Sequence, residues 1–423
     1  MAYSSLLRRG PGFAGFSISG KWSRDCNWSC RRGMSTAALV SPEKINTSSS
    51  PWLILRPVYE AGAACTAATT LTYKFYNLAE NRVETRRVPQ IPSDLSFRGS
   101  SGGGWVSLVQ PETHDLLLYN PISHRRIKLP PSYRPSVDLN SAPILHKSFL
   151  TCSPDTENCV AVSLTYCGAC MAVCCPLSSD DWKWFGTNFK DNYDLDCANS
   201  KDNYYRDCVY STTQHTLFAL TDNFQLEAWD LTAASPKLIR IIGEFSNILN
   251  HEETMMKKKE LIQSRDDLTC WHWYHLVIAG EDLLVVTHYV VESVNSDGVY
   301  FDYYLEESPS DLSSATIDFD VHRYDPKDGD LKYVEGSCLG GWALFVGQYN
   351  HSVALRARDF PELKPNSIYF TDVKSDPWER NDGGNHDIGI FSYEDKTVSP
   401  CYYPCDPANL KPIFPEPMWF FPS

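Results

Sequence analysis

The chain has 423 residues, 43% of them hydrophobic and 13% aromatic, with 12 Trp and 23 Tyr, a balance that suits half-buried β-strands in a globular protein. A formal charge of −14 argues against a nucleic-acid partner, which would need clustered Lys and Arg, and no apolar run approaches the roughly eighteen residues of a membrane span. The 15 cysteines are odd in number, scattered and follow no secretory signal, so they read as reduced thiols used as small buried hydrophobes.

The first forty residues differ from the rest. Arg8, Arg9, Lys21, Arg24, Arg31 and Arg32 stand there against a single acid, Asp25, whereas the remainder is strongly acidic. An Arg- and Ser-rich, acid-poor start predicts an organellar transit peptide, with mitochondrion favoured over plastid and Arg31–Thr36 as the processing region; without it the chain would stay in cytoplasm or nucleus. Residues 41–50, SPEKINTSSS, read as a flexible linker, and residues 51–423 as one folded domain. Trp52–Arg56 is the candidate strand that closes the domain by joining the chain ends.

GSSGGGW, Gly99–Trp105, matches the G-x-S-x-G spacing of a hydrolase nucleophile elbow at Ser101. The elbow needs a strand before the serine and a helix after it, but VPQIPSDLSF precedes and strand-like WVSLV follows. The glycines are therefore expected to turn the chain into a strand whose Trp105 packs between neighbouring sheets. On that reading Ser101→Ala is nearly silent and Trp105→Ala is damaging. The run lacks the Gly-Lys-Ser/Thr of a phosphate loop.

One unit then recurs. Asp115–Pro131, Gln225–Ile241, Phe319–Glu335 and Ile388–Pro404 each show an alternating strand, a turn opened by Asn120, Asp230, Asp325 or Glu394, and a second strand. Repeated hairpins with almost no helical periodicity predict an all-β fold, a kelch-like β-propeller of four-stranded blades. About 350 folded residues would supply six to eight blades, with seven the expectation and more divergent hairpins hidden between these four. Residues 252–267 read as an exposed helix or loop, and 292–315 as a long loop within a blade.

Other groups carry no assigned chemistry. Cys167, Cys170, Cys174 and Cys175 fall in a segment that reads as two buried strands joined near Gly168, and Cys401 with Cys405 makes a loose second pair. His272 and His275 are three apart, so a strand sends them to opposite faces. Asp180 and Asp181 read as solvated surface. No catalytic, cofactor-binding or metal-ligating residue is assigned, and no cofactor is expected.

Ala343–Val373, ALFVGQYNHSVALRARDFPELKPNSIYFTDV, resembles a signature of the plant family called domain of unknown function 295, the KIB-type β-propellers. Asp359, Phe360, Pro361, Leu363, Lys364, Ile368, Tyr369, Phe370, Thr371 and Asp372 fit its run. Pro51–Leu55, Lys74–Val83, the Gly99 segment, the Asp115 hairpin and the terminal IFPEPMWFFPS resemble it in the expected order. The resemblance implies a propeller. Many relatives begin with an F-box that docks a ubiquitin ligase; residues 1–50 resemble instead an F-box-less, organelle-directed branch. The expectation is a monomeric, non-catalytic scaffold that binds an unknown protein on a propeller rim, the alternatives being a ubiquitin-ligase adaptor or a cryptic propeller enzyme.

Overall fold

The structure, a computed structural model, describes residues 50–58, 71–88, 96–110, 113, 115–131, 145–165, 170–186, 204–232, 235–249, 270–294, 313–335, 339–348, 350–371, 387–400 and 417–422. The transit segment, most of the linker, residues 252–267, Cys167, Gly168, Asp372, Cys401 and Cys405 lie outside these.

Short apolar runs broken by turn residues form six sheets among the described residues. Blade one contains β1 (Trp52–Val58), β2 (Leu71–Asn77) and β3 (Arg82–Val88). Blade two contains β4 (Ser96–Ser101), β5 (Trp105–Val109), β6 (Leu116–Tyr119) and β7 (Arg126–Lys128). Blade three contains β8 (Leu145–Leu150), β9 (Ala161–Thr165), β10 (Met171–Cys174) and β11 (Lys183–Phe185). Blade four contains β12 (Tyr205–Ser211), β13 (Thr216–Thr221), β14 (Gln225–Asp230) and β15 (Lys237–Glu244). Blade five contains β16 (Cys270–Ala279), β17 (Asp282–Val294), β18 (Ser313–Asp325) and β19 (Asp330–Tyr333). Blade six contains β20 (Trp342–Val346), β21 (Val353–Arg356), β22 (Ser367–Phe370), β23 (Gly389–Ser392) and β24 (Thr397–Pro400). The last strand, β25 (Met418–Phe420), pairs antiparallel with β1 and completes blade one.

The fold is an all-β propeller, and its core shows the ring to be closed. Six apolar clusters each join the facing sides of two successive blades. The last of the six seams sets Phe345 and Tyr369 of blade six against Trp419 and Leu53 of blade one. Six blades and six seams leave no open side, so the count is six where seven was expected. Middle strands such as β5 and β9 are buried along their whole length because both faces meet a neighbouring blade. The closure differs in detail from the sequence expectation: β25 supplies the inner strand, and Trp52–Ile54 is the edge it pairs with.

The repeated hairpin is the outer strand pair of a blade. Asn120 Oδ1 accepts the N–H groups of Ile122 and Ser123, Asp230 Oδ1 that of Thr232, and Asp325 Oδ1 that of Lys327. In the fourth copy the capping oxygen is that of Ser392, which accepts from Asp395 N–H, rather than that of Glu394. Blade one carries a divergent copy, in which Asn77 accepts from Ala79 and Glu80. Blade six departs from the plan: it has five strands, and β20 runs parallel to β22 because the chain folds back through β21 before entering β22.

Candidate interaction site at the axis and the tryptophan end

The inner strands β25, β4, β8, β12, β16 and β21 surround the axis. Blade six adjoins blades five and one, yet its Asn350 bridges to Ser100 of blade two. Next to it, His351 stacks on Phe149 of blade three with ring centroids 4.2 Å apart. Asn350 and His351, between β20 and β21, therefore reach across the axis. Gly347 permits this crossing, since a Cβ there would lie 2.1 Å from Thr371 Oγ1. Asn350 and His351 lie inside the family-like signature, and other residues of that signature brace blade six. The Lys364 N–H donates to the Tyr369 hydroxyl, Tyr369 stacks on Phe345 with centroids 4.6 Å apart, and Asn366 Oδ1 accepts the Gly341 N–H.

Charged and polar groups brace the inner strands. Lys147 of blade three and Asp207 of blade four form a buried ion pair at 2.5 Å, with side chains 4% and 3% exposed. The second Asp207 oxygen accepts the Leu276 N–H of blade five at 2.7 Å, so one carboxylate joins three blades. Burial and then the Lys147 charge pull the His275 and His351 imidazoles down to about 3, leaving them neutral at pH 7 beside the ammonium group. Around them Ser100 Oγ, His275 Nε2, Asn350 Nδ2, His351 Nε2 and Ser352 Oγ are buried with no hydrogen-bond partner among the described residues.

Blade five outruns its neighbour. Asp207, the third residue of β12, meets Leu276, the seventh of β16, so Cys270–Trp273 extend past the start of β12. Alternation puts Trp271 and Trp273 on one face of this extension, 52% and 37% exposed. His272 points the other way, its imidazole kept below the usual range by burial and by Arg206. His275 shares the tryptophan face but is buried in the axis, so the two histidines fall on opposite faces as their spacing predicts. Sequence reasoning missed the tryptophans, because on an apolar strand an indole reads as core.

Ser101 is the site residue whose reading changes most. It is buried, and its hydroxyl accepts the Leu150 N–H of blade three at 2.7 Å. It is a strut between blades, and as the partner of a buried amide it argues against the expectation that its removal is nearly silent. The glycines do turn the chain, with positive φ at Gly103 and Gly104, but Gly99 has a different task. A Cβ there would lie 1.9 Å from the Ser148 carbonyl oxygen, so blades two and three touch backbone to backbone. Trp105 is 4% exposed in the seam between these blades, as expected. Cys170 and Cys174 are buried beside or within β10, which pairs with β9 as the two buried strands read from the sequence. Asp180 and Asp181 lie in the turn before β11. Among the described residues, no group of three or more His, Cys, Asp or Glu is arranged to hold a metal ion, and no helix is long and apolar enough to cross a membrane.

A closed six-bladed ring with two residues reaching across its axis and an aromatic extension defines a β-propeller. The family model described as KIB1-4 beta-propeller matches residues 75–392, and the chain belongs to that family. No curated protein matches it. Similar solved structures include a member of the duf4221 family from Bacteroides vulgatus, 10% identical over 87% of this chain and 95% of that one, TM-score 0.33. The Cps50 (Swd1) propeller domain of Myceliophteria thermophila is 10% identical over 69% of this chain and 79% of its own, TM-score 0.30. The extracellular domain of a B. thetaiotaomicron hybrid two-component system is 12% identical over 60% of this chain, which spans 28% of that chain's length, TM-score 0.28. These likenesses carry no functional argument.

Proposed function

We propose that this protein is a non-catalytic interaction scaffold imported into an organelle, the mitochondrion, and that Trp271 and Trp273 anchor its partner. The observation that carries the reading is the pair of exposed indoles on the end of β16 that outruns β12. Large rigid aromatics left in water at a strand end are the side chains that dominate protein interfaces once desolvated, each worth about 2 kcal/mol or more to a partner with a matching pocket. The basic first forty residues support the organellar part.

Affinity purification from isolated mitochondria tests it, comparing the natural protein with Trp271→Ala/Trp273→Ala. The expected result is a partner retained by the first and lost by the second at an unchanged melting temperature. Equal recovery by both would remove the tryptophans from the interface, and co-purifying ubiquitin-ligase subunits would favour the adaptor role. A fluorescent protein fused behind residues 1–40 should enter mitochondria; cytosolic or nuclear signal would refute import.

A further inference from the structure

Blade three gathers Cys152, Cys159, Cys174 and Cys175 as free thiols near one end of β8, β9 and β10. Two of them are placed by register. Leu150 of β8 faces Ala161 of β9, and the next rung is made by Thr151 and Val160, whose N–H groups bond to the Val160 carbonyl and the Thr151 hydroxyl at 2.9 and 3.0 Å. One step further along each side come Cys152 and Cys159. Beyond Leu150 and Ala161 the ladder gives way to a turn, since the Val160 N–H bonds the Thr151 hydroxyl rather than its carbonyl, and this turn brings the two cysteines into contact. Both side chains lie on the face shared by Leu150 and Ala161, in the seam with blade two. The Cys159 thiol donates to the Cys152 carbonyl at 3.2 Å.

The two thiols differ in access. Cys152 is half-buried, whereas Cys159 is 2% exposed. Burial, followed by the charge on Cys152, pushes the Cys159 thiol up to about 12, so it stays protonated until a sulfur beside it becomes electrophilic. Cys174 is buried opposite Ala161, on the neighbouring strand pair, and its thiol is also raised by burial. Asp155, in the turn between the two cysteines, is held by Arg125 of blade two.

We propose that Cys152 and Cys159, in contact across the β8–β9 turn, are a redox pair that closes to a disulfide when a peroxide oxidises Cys152, fastening that turn at the seam between blades two and three. The Cys152 thiolate attacks one oxygen of hydrogen peroxide; the O–O bond breaks, a sulfenic acid forms, and the departing hydroxide takes the thiol proton to become water. The Cys159 sulfur then attacks the sulfenic sulfur; the S–O bond breaks, the S–S bond forms, and the hydroxyl leaves with the Cys159 proton as a second water. Two thiols thus supply two electrons to one peroxide.

The test uses the full-length reduced protein, titrated with hydrogen peroxide, alkylated, and digested after Glu157 by a glutamyl endopeptidase and after Tyr166 by chymotrypsin. These cuts separate Cys152, Cys159 and the later cysteines. The expected result is a loss of about 2 Da, reversed by dithiothreitol, with the Cys152 peptide joined to the Cys159 peptide. Cys159→Ser should leave a Cys152 sulfenic acid that dimedone traps, and Cys174→Ser should keep the link. A link from Cys152 to Cys174 or Cys175 would overturn the assignment. So would a Cys152 that resists peroxide in the folded chain but reacts in urea. The map of the natural protein decides the question even if a variant fails to fold.

Discussion

Removing one carboxylate should loosen half the ring. In Asp207→Ala the Lys147 ammonium, 4% exposed, loses the partner 2.5 Å away, and the Leu276 N–H loses its acceptor. Stranding one member of a buried pair typically costs about 3 to 5 kcal/mol, and an orphaned buried amide about 1 to 3. Because the vacated space admits water to both groups, we expect a total of about 4 to 6 kcal/mol, a large part of a typical domain's stability. Urea unfolding followed by far-UV circular dichroism and tryptophan fluorescence would measure it. The double variant Lys147→Met/Asp207→Leu removes both charges and leaves only the Leu276 amide unsatisfied, so it should lose about 1 to 3 kcal/mol. If Asp207→Ala lost less than about 1 kcal/mol, or the double variant lost as much as the single, the stranded-charge reasoning would be wrong.

Ser101→Ala should destabilise by about 1 to 3 kcal/mol by stranding the buried Leu150 N–H, measurable by the same urea titration, and Trp105→Ala by about 3 to 5 through the cavity it leaves. Trp419 is fully buried in the closing seam against Phe345, so Trp419→Ala should cost about 3 to 5 kcal/mol and broaden the thermal transition as the ring opens; an unchanged, sharp transition would count against closure by β25. Acid should act through His275. Its folded value of about 3 lies below the unfolded one near 6.5, so its contribution is present above that pH and is lost as pH falls, by roughly 1.4 kcal/mol per unit. Stability measured from pH 6.5 to 4 should therefore fall less steeply in His275→Gln. Asp387 has the opposite sign: burial pushes its carboxyl up to about 7, so its contribution is complete below about pH 3.8 and is lost as pH rises through 7. Asp387→Asn should gain stability relative to the natural protein at pH 8 and not at pH 4, by thermal melts at both.

Local chemistry was legible in the residues. Strand alternation, the oxygen-bearing turn residues Asn120, Asp230 and Asp325, and the glycines ahead of Trp105 are short-range effects within a few residues of chain, and they predicted hairpins, an all-β class and a propeller. The fourth turn residue was misread because Glu394 and Ser392 stand two apart, and only the finished turn shows which oxygen reaches an amide. Blade number was hidden for a related reason: the hairpins of blades one and three vary in their turns, and a count needs the seams. What joins one blade to the next is long-range. Ser101 is a polar residue in a glycine run until Leu150 arrives from blade three, and Gly99 matters only because the Ser148 carbonyl meets it.

The chain by itself determined which segments become strands and where they turn, since those choices are made by side chains acting on their own backbone. Tertiary structure alone decided that six blades close, that Asn350 and His351 reach across the axis, and that Lys147 and Asp207 meet 60 residues apart. It also decided that Trp271 and Trp273 stay in water, because their exposure follows from β16 outrunning β12, a difference between two strands that neither strand encodes alone.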